Sequence, residues 1–202
     1  MKKVISVYVF FALMFFSTVN VYADEIKHLS LSDNTLKGKF SITITSLGGY
    51  TGNCVDLYFI NLTRDTLKLI LEPGRRLISL ESKFQDILIV KEQRFVLLPL
   101  GRKNISGYGF CCEAHDGGPV KGCRFDLGYM APDAWVDVAK VINTHNYSSY
   151  VTQSAVWALS NDYSVNNIQS KSSSPEIDIL KKAVVQANPK SNKPIITSVA
   201  PS

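Results

Sequence analysis

The stretch Gly107–Cys123, read GYGFCCEAHDGGPVKGC, concentrates residue types that can do chemistry. Its candidate reactive or binding residues are Cys111, Cys112, Cys123, His115 and Asp116. Cysteine and histidine are zinc ligands, and a Cys–His pair assisted by an acid can perform nucleophilic catalysis. The spacing matches no standard zinc finger, and adjacent cysteines rarely point at one ion. We therefore expect neither a metal nor a cofactor here, and a small Cys–His hydrolase is the third functional hypothesis.

Disulfide bonds are the leading interpretation of the cysteines. The chain has four, the fourth being Cys54, and an even count in an exported protein favours pairing. A bridge between the neighbours Cys111 and Cys112 would strain the intervening peptide. We therefore predict that Cys54 bonds one of these two and that Cys123 bonds the other.

A second constellation pairs Phe110-Cys111 with the later segment Thr152-Gln153-Ser154-Ala155-Val156-Trp157. These two motifs, in this order and with a helix between them, resemble those of the thioester domains of bacterial surface adhesins. The resemblance implies that the Cys111 thiol attacks the Gln153 amide, ammonia leaves, and the resulting thioester reacts with an amine on a target surface. The alternative is that Gln153 caps or lines a helix while Trp157 belongs to the core.

Aromatic side chains offer a further binding hypothesis. Tyr108 and Tyr129 flank the cysteine stretch, and Trp157 lies in the second motif. Exported β domains often stack sugars on such rings, so a glycan surface is one possible partner. His115 and Asp116 are the polar candidates for the same role.

The elements that must position these residues are mainly β-strands. Phe40–Thr45 alternates apolar and polar residues, as does Leu67–Leu71, a pattern typical of half-buried strands. Similar short runs follow up to about Leu127, separated by turns such as Pro73-Gly74. This spacing predicts an antiparallel β-sandwich of about seven strands, in a mainly β (β + α) domain with two appended helices.

The apolar period becomes helical after Gly128. Trp135, Val138, Ala139 and Ile142 form one apolar stripe, and a second helix covers about Tyr150–Ser160. We predict a β-sandwich domain with a C-terminal helical part over 24–160, a linker at 161–174, an amphipathic helix at 175–188 and a disordered tail at 189–202.

The first 23 residues have the features of a signal peptide. Lys2 and Lys3 precede an apolar run, and Val21-Tyr22-Ala23 supplies a cleavage site. We therefore expect a protein that is secreted, periplasmic or associated with the cell surface, without a stable membrane span after cleavage. The formal net charge is +5 and the basic residues are scattered, which argues against a nucleic-acid partner.

Taken together, these features predict an exported, non-enzymatic binding or adhesion module of the bacterial cell surface or periplasm. Its partner would be a surface protein or a glycan. The alternative is a covalent adhesin that uses an internal thioester between Cys111 and Gln153.

Overall fold

A computed structural model describes residues 27–169 and 174–193. Within these ranges the chain forms nine strands and three helices. The strands are β1 (Leu29–Ser30), β2 (Phe40–Ser46), β3 (Thr51–Asn61), β4 (Leu67–Leu71), β5 (Arg75–Ser79), β6 (Ile87–Ile89), β7 (Gln93–Leu97), β8 (Arg102–Cys111) and β9 (Arg124–Met130). The helices are α1 (Asp133–Thr144), α2 (Ser149–Ser160) and α3 (Pro175–Ala187). The mainly β prediction is therefore confirmed.

Six strands close into a barrel in the order β2-β3-β8-β6-β5-β9. All six of its pairings are antiparallel. The predicted sandwich of about seven strands is not confirmed, since these six strands form a closed barrel. The period-2 pattern of a sequence shows which residues are buried, but it does not show how the sheet bends. The longest pairing, β3 with β8, contains an irregularity between Asn53 and Val55. Irregularities of this kind increase the local twist and help a sheet to curl.

The remaining three strands form a small sheet in the order β1-β4-β7. β1 runs parallel to β4, and β7 runs antiparallel to it. Leu67, Leu69 and Leu71 of β4 alternate with half-buried residues and belong to the same apolar cluster as the barrel interior. The alternation predicted these burial directions, but β1 has only two residues, too short to leave a pattern.

The helices form a second hydrophobic cluster against the outside of the barrel. Val138, Ala139 and Ile142 of the predicted α1 stripe are buried in it, whereas Trp135 is only partly buried. The start of α3 is as predicted, since Ser174 accepts a hydrogen bond from the backbone N–H of Glu176 and Pro175 occupies the first turn. α2 packs on β8, and α3 packs on both other helices.

Two predicted loose segments pack against the helices where the structure describes them. In the predicted linker, Val165 and Ile168 are buried in the helical cluster. In the predicted disordered tail, Pro189–Ser191 form a 3-10 turn and Ser191 is fully buried. Composition misled both predictions, because a few well-placed contacts can order a polar segment.

Two other predictions fall on the chain termini. The predicted signal peptide lies outside the described residues, as does 194–202 of the predicted tail. Within 27–169 and 174–193, none of the helices is long and apolar enough to cross a membrane.

Candidate functional site at the junction of barrel and helices

The side chains of the adjacent residues Cys111 and Cys112 lie on opposite faces of the barrel sheet. Cys111 belongs to the cluster inside the barrel, together with Cys54 and Cys123. Cys112 belongs to the helical cluster outside the barrel. Successive side chains of a strand point to opposite faces of the sheet, so this separation follows from the backbone. The predicted framework of two disulfides is therefore not confirmed, because it requires Cys112 to bond Cys54 or Cys123, and both of these lie in the other cluster.

All four cysteines lie in the described part of the chain, where they are buried and unbonded to one another. Burial raises the pKa of the Cys54 thiol to about 11. Burial also raises the pKa of Cys111, and the neighbouring Cys54 adds to this rise. Burial raises the pKa of Cys112 to about 12, although the Arg76 guanidinium acts in the opposite direction. The raised pKa keeps the reduced thiols of Cys54, Cys111 and Cys112 protonated at neutral pH, which makes them weak nucleophiles.

The proposed acid and base partners lie in an exposed loop. His115 and Asp116 are both exposed, whereas Cys111 and Cys112 are buried. The loop is held by Gln85, whose Nε2 donates to the backbone oxygen of Asp116 at 2.7 Å. In the described part of the chain, no group of three or more His, Cys, Asp or Glu side chains is placed to bind a metal ion.

An ion-pair network that the sequence analysis missed fixes the segment after β8. Arg76 forms a short salt bridge with Asp86 and a 3.4 Å contact with Glu113. Glu113 also accepts a 2.9 Å hydrogen bond from the backbone N–H of Asp86. Cys112 lies against this network, its Sγ 3.4 Å from the Asp86 backbone oxygen. Because Arg76, Asp86 and Glu113 come from three separate segments, no short sequence motif predicts their contact.

Gln153 is buried where helix α2 meets strand β8. The helix is capped by Ser148, which accepts a hydrogen bond from the N–H of Val151. Two residues later, the Gln153 side chain is only 4% exposed. Its Nε2 donates a 2.8 Å hydrogen bond to the backbone carbonyl oxygen of Cys111. The two residues of the predicted thioester are thus in contact, but through the cysteine backbone.

The other amide atom of Gln153 is unsatisfied. Its Oε1 is buried and accepts no hydrogen bond from the described residues. One turn along α2, the indole Nε1 of Trp157 is also buried, and it too lacks a partner within the described ranges. We call these two atoms, an acceptor and a donor, the cavity pair. Buried polar atoms without partners are uncommon in folded proteins, and a bound water or ligand is one explanation for them.

Both residues line one surface cavity of about 310 Å³, the Gln153 cavity. Helix α2 contributes Ser149, Tyr150, Gln153, Ser154 and Trp157, and the turn before β3 and its first residue contribute Tyr50 and Thr51. Comparison with protein-family models, curated proteins and solved structures finds no match to this chain. The case for a site therefore depends on the geometry of this cavity.

The aromatic candidates from the sequence occupy different environments. Trp157 lines the cavity and packs its ring against Tyr163, with centroids 6.0 Å apart. Tyr108 packs edge-on against Phe110 at 5.6 Å, within the helical cluster. Tyr129 is 76% exposed on β9 and does not line the cavity.

The sequence analysis missed the two tyrosines of the cavity. Tyr50 is 53% exposed and Tyr150 is 65% exposed. Tyr150 precedes Gln153 by three residues, so the helical period alone places both on neighbouring parts of one face. Tyr50 reaches the site because its backbone oxygen accepts a hydrogen bond from the N–H of Cys111, a contact that no sequence pattern reveals.

Proposed function

We propose that this chain is an exported, non-enzymatic binding or adhesion module whose binding site is the Gln153 cavity. The observation that carries the proposal is the cavity pair. Leaving a buried donor or acceptor unpaired costs about 1–3 kcal/mol for each atom. Both atoms are buried while their residues line the cavity, so a ligand reaches them when the Gln153 and Trp157 side chains turn towards it. A ligand that then supplies the missing partners recovers this energy.

The side chains of the cavity support binding rather than acid–base chemistry. The residues that line it are tyrosine, threonine, serine, glutamine and tryptophan, all uncharged types. General acid–base catalysis requires a group whose pKa lies near the working pH. The proposed base, His115, does not line the cavity, because it is an exposed residue of the β8–β9 loop. The cavity therefore has the character of a recognition site for an uncharged group.

The experiment compares two exposed tyrosines. The purified chain is fluorescently labelled and tested for adhesion to a panel of cell and extracellular-matrix surfaces. Tyr150→Ala removes a ring from the edge of the cavity, whereas Tyr129→Ala removes a ring of similar exposure from β9. We expect Tyr150→Ala to lose surface binding and Tyr129→Ala to keep it. Equal binding by both variants and the wild type would reject the cavity as the binding site.

A covalent adhesin is the second candidate, supported by the contact between Gln153 and Cys111. In the reaction, the Cys111 sulfur would bond to the side-chain carbonyl carbon of Gln153. The carbon–nitrogen bond would break, and the thiol proton would leave with the amide nitrogen as ammonia. The thiol packs inside the barrel, so it would first have to turn towards the helix.

Intact mass separates the two candidates. A thioester lowers the mass of the chain by one ammonia. Methylamine opens it to an N-methylamide and a free thiol, so the mass rises by one methylamine. Gln153→Ala must abolish that gain. For the non-covalent module, we expect methylamine to leave the mass unchanged.

A further inference from the structure

We infer that the Gln153 cavity binds a neutral sugar unit of a surface glycan. This inference rests on the proposed function and names the chemical class of its ligand. The evidence is the size of the cavity, its lack of charged side chains, the placement of Gln153 and Trp157 one helical turn apart, and the two exposed tyrosines.

The size of the cavity limits the ligand. At about 310 Å³ it lies at the small end of the range for small-molecule sites, about 300–1,000 Å³. It can therefore enclose one sugar ring or little more, rather than a folded partner. The uncharged lining would leave a charged ligand group without a counter-ion, and burying such a group is costly. A neutral unit fits both limits.

The cavity pair matches neighbouring hydroxyl groups. Gln153 and Trp157 are four residues apart on one helix, so their side chains emerge about 5–6 Å apart on the same face. Gln153 Oε1 needs a donor, and Trp157 Nε1 needs an acceptor. A hydroxyl group can serve as either one. A sugar ring carries several hydroxyls along its edge, so one unit can pair with both atoms once the two side chains turn towards the cavity.

The tyrosines suit the apolar face of the same ring. Tyr50 and Tyr150 are more than half exposed where they line the cavity. An aromatic side chain offers a large apolar surface and, in tyrosine, a hydroxyl at its edge. A sugar ring has a face of C–H groups and an edge of hydroxyls. Its face can thus cover a tyrosine while its edge reaches Gln153 and Trp157.

A short peptide is the main competing ligand, because an amide group also combines a donor with an acceptor. Peptides are usually recognised by strand addition or in an extended groove. The Gln153 cavity is instead lined mainly by side chains of one helix. The geometry favours the more compact ligand, and the test includes the peptide as a competitor.

The experiment uses Trp157 as the reporter. The chain has two tryptophans, and Trp135 on α1 is not part of the cavity. In the full chain carrying Trp135→Phe, we would titrate the methyl glycosides of glucose, galactose, mannose and N-acetylglucosamine. We expect one of them to produce a saturable change in Trp157 emission, with a Kd on the order of 1 mM, a weak affinity worth about 4 kcal/mol.

The variant that tests the hydrogen bond is Trp157→Phe, which keeps an aromatic ring but removes the N–H donor. By ligand-observed NMR, we expect it to weaken sugar binding about five- to tenfold, as the loss of one hydrogen bond should. Tyr129→Ala should bind as tightly as the wild type. Equal affinity of Trp157→Phe and wild type would overturn the inference.

The outcomes also separate this inference from the proposed function. If Tyr150→Ala loses surface adhesion but no glycoside binds, the sugar inference is overturned and the proposed function stands. Displacement of the adhering protein by N-acetyl-alanine methylamide, without displacement by any glycoside, would likewise reject the sugar in favour of a peptide. If a glycoside binds at Trp157 but Tyr150→Ala keeps full adhesion, the sugar site stands and the proposed function fails.

Discussion

The side chain of Gln153 donates a 2.8 Å hydrogen bond to the backbone oxygen of Cys111, and this contact joins helix α2 to the end of strand β8. The residues packed around this junction are largely apolar. The oxygen of the same amide is buried and accepts no hydrogen bond from the described residues, although the residue lines the cavity. Gln153 thus joins the two layers through its amide nitrogen and leaves its amide oxygen unpaired.

The first prediction concerns the hydrogen bond from Gln153 to Cys111. Gln153→Ala leaves the buried Cys111 carbonyl without its donor but also removes the unpaired Gln153 Oε1, so we expect a net loss of about 1 kcal/mol in the free energy of unfolding. For a chain of this size, each kcal/mol corresponds to about 2–4 °C in Tm. Gln186→Ala on the exposed face of α3 is the matched control and should change Tm little. Similar Tm values for both variants would show that the contact contributes nothing to stability.

Local patterns were sufficient where burial direction alone decides the structure. The alternation of Leu67–Leu71 predicted the bounds of β4, and Ser174-Pro175-Glu176 predicted the start of α3. Both signals lie within a few residues of the element they specify. The same locality explains why the barrel was missed, since closure depends on pairings such as β5 with β9, which lie far apart in the chain.

The site was only partly predictable for the same reason. Gln153 and Trp157 were identified from one motif, and the structure places both at one cavity. Tyr50 comes from a turn about a hundred residues earlier, and only the β3–β8 pairing brings it there. The network of Arg76, Asp86 and Glu113 likewise joins three segments. Contacts between distant segments leave no trace in a short stretch of sequence.

The second prediction concerns alkaline pH. In the reduced chain, burial raises the pKa of Cys54 from 9.0 to about 11. The folded state therefore keeps a proton that the unfolded state loses, and stability falls as pH rises from about 9 to 11. Cys54 alone should account for about 2–3 kcal/mol of this loss, at about 1.4 kcal/mol for each pKa unit.

Urea unfolding at several pH values measures this effect. Tyrosines and lysines titrate in the same range, so the useful quantity is the difference between the reduced wild type and reduced Cys54→Ala. We expect this difference to shrink between pH 9 and 11, because the variant lacks the titrating thiol. If the difference in unfolding free energy between the two chains stays constant from pH 9 to 11, the Cys54 thiol is not buried as the structure shows it.

The third prediction replaces the expectation that the chain is disordered from residue 189 onwards. The backbone oxygen of Lys193 accepts a short hydrogen bond from Ser164 and a 3.3 Å bond from Asn166. Ser191 is fully buried and donates to the Asn188 backbone oxygen at 2.7 Å. Truncation after Asn188 should therefore cost about 1–3 kcal/mol.

The matched control is truncation after Lys193, which keeps these contacts. Thermal unfolding followed by circular dichroism compares the two truncated chains with the full chain. We expect only the shorter one to show a lower Tm. If the Tm of both truncated chains equals that of the full chain, the contacts of residues 189–193 do not contribute to stability.

The last prediction concerns the sulfur of Cys111, which cannot join a disulfide and a thioester at the same time. Cys54 and Cys111 lie in one cluster, close enough for Cys54 to raise the pKa of Cys111. We expect the oxidised chain to carry a Cys54–Cys111 bond, so that alkylation under denaturing, non-reducing conditions does not label these two residues. Cys112 and Cys123 occupy separate clusters, so both should be labelled.

The control is Cys54→Ala, in which label should also appear on Cys111. Label on all four wild-type cysteines would rule the bond out, whereas a methylamine-sensitive mass would assign the Cys111 sulfur to the thioester.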